Sequence, residues 1–227
     1  MKNLPFFAIF CLTFIAACDS PVSENQVLVS EAPKKDSVLA PIQKPDVNVE
    51  EHPEKAVYIS KFNKAFQEFQ SAVYNEDADG FNKFIDPARG VYIIENPGAM
   101  PKMTLVKDIR NFKREFQGRS FFTIKELFKS CQLKEEELPT FNCEGATNGN
   151  TGYSKEGCFA GDAEEFRENE VFKYASLPEQ EIKSIKATLP LVQTTVVQTS
   201  SSYRFHFGYL NNAWKVLFID LRIPCSA

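Results

Sequence analysis

Few groups in this 227-residue chain could do chemistry. Four of its six cysteines, Cys131, Cys143, Cys158 and Cys225, fall in the C-terminal half at intervals of 12, 15 and 67 residues. Structural zinc sites favour pairs of cysteines with about two to four residues between them, because a short knuckle brings both thiolates to one ion. None of these intervals does that, so no metal is expected. An even number of widely spaced cysteines in an exported chain reads as disulfides. Residues 140–144 and 156–159 look like the two short strands of an irregular hairpin, which predicts a bridge between Cys143 and Cys158 and leaves Cys131 for Cys225.

Only two histidines exist, His52 and His206, so a multi-histidine metal site is excluded and a Ser-His-Asp triad would have to use His206. No Gly-x-Ser-x-Gly elbow accompanies it. Tyr203, Phe205, Phe207 and Tyr209 alternate with His206, which places the imidazole on the opposite strand face, expected to be partly exposed. Half of the ten glycines crowd into 145–161, between and just beyond three of the cysteines, as in a stapled binding loop or a tolerated insertion. That loop holds no P-loop, dinucleotide fingerprint or EF-hand spacing, so no cofactor is expected. Charge is uneven as well. From Lys102 to Arg119 six bases face two acids, and from Lys134 to Glu181 four bases face twelve acids. Lys107, Arg110 and Arg114 are the candidate contacts for an anionic envelope component or an acidic partner.

The elements that must position these groups can be read from periodicity. Tyr58, Phe62, Ala65, Phe66, Phe69, Ala72 and Val73 recur at helical spacing and predict an amphipathic helix ending near Asn75. A short second helix from about Ala78 buries Phe81, Phe84 and Ile85 until Asp86-Pro87 stops it. Val91 to Ile94 reads as a strand closed by Asn96-Pro97-Gly98, and Leu105, Ile109, Phe112 and Phe116 suggest a third helix. Phe121 to Leu127 fits strand or helix, and Ser176 to Glu179 opens a short helix with a capping-box pattern. The last third is β, with strands around Val192–Val196, Tyr203–Tyr209 and Trp214–Leu221. Asn211-Asn212 forms the tight turn between the last two, because asparagine tolerates positive φ.

Composition bounds what such a chain does. At 43% hydrophobic and 25% charged it is a globular protein rather than a fibre or a membrane bundle. With net charge −4 it has no positive field to hold nucleic acid. The run from Leu4 to Ala17 has the length of a signal-peptide core and is too short to span a bilayer. It ends in Ile15-Ala16-Ala17-Cys18, which resembles the lipobox of bacterial lipoproteins. The resemblance implies cleavage before Cys18, a diacylglycerol on its thiol and acylation of its new amine. Residues 1–17 are then a signal peptide, and the protein sits in the cell envelope on the inner or outer membrane. From Asp19 to Lys55 there are five prolines, no aromatic residue and no glycine, so 18–55 reads as a disordered tether that cannot bury enough apolar surface to fold. The domain is 56–227, large enough for one core.

Helices first, then a strand, a further helix and an aromatic hairpin bearing Asn-Asn-Ala-Trp-Lys-Val resemble the NTF2-like α+β cone, in which N-terminal helices pack on a curved antiparallel sheet. Segments 58–85 and 203–221 carry this likeness, and 120–175 has no counterpart in it. Gly90-Val91-Tyr92 with Asn96-Pro97-Gly98 also resembles lipoproteins of the Bacteroidetes, which brings no activity with it. The cone family uses Asp, His or Tyr inside the cavity, which implies Tyr92, Glu95, His206 or Asp220 as acid, base or ligand contact here. The expected role is a lipid-anchored envelope protein that binds a small ligand or a partner protein. The alternative is a hydrolase or isomerase using the cone cavity.

Overall fold

The computed structural model describes residues 53–146 and 151–225. The signal segment, Cys18 and the tether up to residue 52 lie outside the described residues. Helix α1 (Pro53–Tyr74) is followed by α2 (Ala78–Asn82), the hairpin β1 (Val91–Glu95) and β2 (Lys102–Val106), β3 (Leu133–Glu135), β4 (Cys158–Asp162), α3 (Glu164–Glu168), α4 (Glu179–Thr188) and three C-terminal strands. These are β5 (Thr194–Gln198), β6 (Tyr203–Leu210) and β7 (Ala213–Asp220). Together the strands make one seven-stranded sheet in the order β2-β1-β7-β6-β5-β4-β3. The class is α+β, as the periodicity predicts.

On one face the predicted stripe of α1 lands as expected. Phe62, Phe66, Phe69 and Val73 are buried against Phe205, Phe207, Val216 and Trp214 of the last hairpin. Asp77 caps α2 by accepting from the Gly80 amide at 2.9 Å, so Phe81 is held against Phe69. Asn211 and Asn212 take φ of 50° and 61° between paired residues Leu210 and Ala213, which is the tight turn foreseen. Gly90 sits at φ 76°, where a Cβ would lie 2.7 Å from the Val106 carbonyl, so the entry to β1 requires glycine.

Two expectations fail. The sheet is mixed rather than antiparallel: β1 runs parallel to β7, and β3 parallel to β4. The predicted third helix is a strand and a turn instead. Lys102–Val106 pairs with β1, because β1 is buried on both faces and its outer row of backbone groups needs a partner. Beyond this strand the chain makes a single 3₁₀ turn, Ile109–Asn111, capped by Asp108. Phe116, the fourth member of the supposed helical stripe, is 61% exposed. Residues 121–126, open between strand and helix in the sequence, form a 3₁₀ helix with Phe121, Phe122 and Ile124 buried.

The second face of the sheet is covered too. Tyr92, Ile94, Leu217 and Phe218 form a separate core with Phe166 of α3, Phe172 of the 3₁₀ turn Val171–Tyr174 and Ile185 of α4. A bulge between His206 and Phe207 puts the consecutive residues Leu217 and Phe218 on this side. The second layer turns the strand face expected to meet solvent into an interior.

The disulfides join Cys131 to Cys158 and Cys143 to Cys225, which corrects the expected pairs Cys143–Cys158 and Cys131–Cys225. An irregular hairpin forms here, but its second arm lies at 152–154 rather than at the expected 156–159: Phe141 is bridged to Tyr153 and the Asn142 amide donates to the Gly152 carbonyl at 2.9 Å. It closes without a disulfide, because Cys158 lies beyond it in β4, beside the chain that leads into β3. Parallel pairing sets Leu133 opposite Cys158 and brings Cys131 within reach.

Candidate functional site

The register of the last three strands builds a polar ladder on the second face. Thr195, His206 and Phe218 are cross-strand neighbours, and so are Val197, Arg204 and Asp220. His206 and Asp220 are therefore brought together, each only 1% exposed. His206 is not the partly exposed residue the alternation suggested: it does face away from the aromatic core, but α3 roofs that face and lays the Phe166 ring flat on the imidazole at 3.4 Å.

The carboxylate nearest this imidazole along the ladder is paired. Asp220 accepts from Arg222 Nε at 2.8 Å, from Arg222 Nη2 at 2.6 Å and from the Arg222 backbone amide at 3.0 Å. Arg204 Nη1 lies 4.0 Å from the same carboxylate, and its other nitrogen faces the Tyr153 hydroxyl at 3.4 Å. His206 Nδ1 shares a hydrogen bond with the Thr195 hydroxyl at 2.9 Å. Its Nε2 is closed to solvent and has no hydrogen-bond partner among the described residues. Burial, and then the charges of Arg204 and Arg222, hold the imidazole well below its ordinary value, so it is neutral.

Over this floor opens a cavity of about 340 Å³. Asp162, Glu165, Phe166 and Asn169 line it from the β4–α3 side, and residues 138–141 of the loop opposite. Arg167 steadies α3 through the Val192 carbonyl at 2.8 Å and Asp162 at 3.3 Å. Donors, acceptors and aromatic carbon thus converge on it from four strands and a helix.

Tyr92 does not belong to it. Its ring stacks on Phe218 at 5.5 Å within the second core, and burial followed by the charge of Glu181 raises its hydroxyl. Glu95 lines a different, open cleft of about 600 Å³ with Arg114 and Tyr203. Both Glu95 oxygens are occupied, by Arg114 Nε at 3.2 Å and the Glu115 amide at 3.1 Å, and burial raises the Tyr203 phenol. Two of the basic set are already engaged: Arg110 is bound to Asp79 and Asp108 and Arg114 to Glu95, while Lys107 is exposed beside Asp108. Among the described residues no group of three or more His, Cys, Asp or Glu side chains is placed to hold a metal ion, and no helix is long and apolar enough to cross a membrane.

The sequence missed Thr195, Arg204, Glu165 and Asn169. The signal for the first two was present, since alternation puts Arg204 on the His206 face and the strand register then pairs Thr195 with it. Nothing in the spacing of 162–169 announces that α3 closes over them. No family model, curated protein or solved structure matches the chain.

The buried imidazole makes stability depend on pH. In the unfolded chain His206 titrates near 6.5, and in the folded protein lower. Below that value the unfolded state takes up a proton that the folded state refuses, so stability is full above about pH 6.5 and falls as pH drops towards the folded value, by up to about 1.4 kcal/mol per pH unit. Urea unfolding at about pH 7 and pH 5 should show this loss, and His206→Gln should flatten the difference. An equal slope in the variant would show that other groups cause it.

Proposed function

We propose that this chain is a cell-envelope lipoprotein, anchored through acyl groups on Cys18, whose NTF2-like domain binds a small polar ligand in the cavity above His206 and catalyses nothing there. The observation that carries the reading is the convergence of Arg204, His206, Asp220 and Asn169 on one cavity, while the space between α1 and the sheet is solid with Phe62, Phe66, Phe69, Phe205 and Phe207. The helix pair packed on an aromatic sheet face supports the cone, and the second helical layer is an addition to it. Two disulfides fit an oxidising compartment. A hydrolase or isomerase would need two ionisable groups left available to a substrate, and here Glu95 is engaged by Arg114 and Asp220 by Arg222.

Two measurements test this. A thermal-shift screen of the full chain against neutral, anionic and cationic small metabolites should give at least one upshift that Arg204→Met removes. No upshift, or upshifts indifferent to Arg204, would sink the ligand site. Separately, Cys18→Ser should abolish fatty-acid labelling and membrane pelleting, since a chain without acyl groups loses about 0.8 kcal/mol of membrane affinity per buried methylene. Unchanged pelleting would refute the anchor.

A further inference from the structure

Resting on the reading of the His206 cavity as a ligand site, we infer that its ligand is a neutral, hydroxyl-rich molecule the size of a monosaccharide. Size is the first constraint. The volume of about 340 Å³ is at the low end of the range of about 300–1,000 Å³ for small-molecule sites, enough for one six-membered ring with its substituents.

Charge is the second. The carboxylates of Asp162, Glu165 and Asp220 line the cavity together with the guanidinium of Arg204, while Arg167 and Arg222, outside the lining, pair with Asp162 and Asp220 from behind. Three negative groups meet three positive ones, and the neutral imidazole adds nothing. An anion would gain at Arg204 and lose at Glu165 and Asp162. A cation would do the reverse. A ligand without net charge leaves the balance intact.

Hydrogen bonding is the third. Asn169 spends its Oδ1 on the Val171 amide at 3.1 Å, which leaves its NH₂ as a donor to the cavity. Arg204 is likewise a donor, and the Glu165 carboxylate is an acceptor. A hydroxyl donates and accepts at once, so several hydroxyls on one ring satisfy donors and acceptors on different walls. An apolar ligand of the same size would bury these groups without partners, at a cost for each. Phe141, Pro139 and Leu138 form the remaining wall and offer carbon to the C–H face of such a ring.

The test is saturation-transfer NMR on the full chain in a sugar-free detergent, with D-glucose, D-galactose, N-acetyl-D-glucosamine and myo-inositol. Each is used at about 10 mM, enough to fill a site with a Kd of about 1 mM. Acetate and methylammonium are the charged comparisons. Transfer to at least one polyol is expected, weakened about tenfold or more by Arg204→Met, the loss of one charge-assisted hydrogen bond. Glu165→Ala, on the exposed rim and without risk to folding, should weaken it in the same direction. Binding of only acetate or methylammonium, sensitive to Arg204, would overturn the polyol and leave the site standing. Binding of no probe would also overturn the polyol, and the library screen above then decides separately whether the cavity binds anything. Polyol binding indifferent to both substitutions would place the sugar elsewhere and overturn the inference.

Discussion

Phe69→Ala should cost about 3–5 kcal/mol of folding stability, a large part of the roughly 5–15 kcal/mol that a domain of this size has. Phe69 is fully buried, and its ring lies 5.4 Å from Phe81, 5.6 Å from Phe84, 5.2 Å from Phe205 and 5.4 Å from Phe207. It therefore belongs at once to α1, to the α2 turn and to the central strand β6. Removing the ring takes away both its transfer from water and its contacts, and four aromatic neighbours fixed on α2, the turn after it and β6 cannot all move in to close the void. Equilibrium urea unfolding reads the change as a lower midpoint at similar slope. Phe116→Ala, at a residue that is 61% exposed, is the matched control and should stay within about 0.5 kcal/mol. A loss below about 1 kcal/mol at Phe69 would mean that the helices and the sheet do not share one core.

The contrast between these two phenylalanines shows what the sequence made legible. Helical spacing found the face of α1 because that helix meets the sheet with one stripe and nothing else. The Asn211-Asn212 turn was equally plain, since two residues with positive φ leave a two-residue hairpin little alternative. The same spacing rule misread Leu105, Ile109, Phe112 and Phe116. There the deciding fact is non-local: β1 needs a partner along its outer edge, and Lys102 to Val106 supply that partner whatever their own period. The site failed for a similar reason. Alternation located His206 on the correct face of β6, but whether that face meets water depends on Phe166, Val171, Phe172 and Ile185, apolar residues of the second layer with no common period. Burial of His206 and Asp220 is thus a property of that layer, and no pattern within β6 or β7 encodes it.

The disulfides give the other large effect, and their order of loss is predictable. Cys143–Cys225 closes a loop with a sequence separation of 82 and Cys131–Cys158 one of 27. The chain-entropy account then assigns them about 4.5 and about 3.5 kcal/mol through the unfolded state. Access runs the same way as loop length. Cys143 and Cys225 are both exposed, whereas Cys158 is fully buried in β4. A mild reductant should therefore open Cys143–Cys225 first, and that step carries the larger loss of stability. Peptide mapping after alkylation reads the order, and the same digest without reduction should recover the Cys131 peptide joined to the Cys158 peptide. Recovery of Cys143 joined to Cys158 would refute the pairing. The consequence reaches the ligand cavity, because Cys225 is three residues beyond Arg222, whose guanidinium neutralises Asp220 beside His206. With the bridge open, the segment beyond Leu221 that carries Arg222 loses its covalent anchor. The Cys225→Ser variant should then lose affinity for any ligand of that cavity as well as stability.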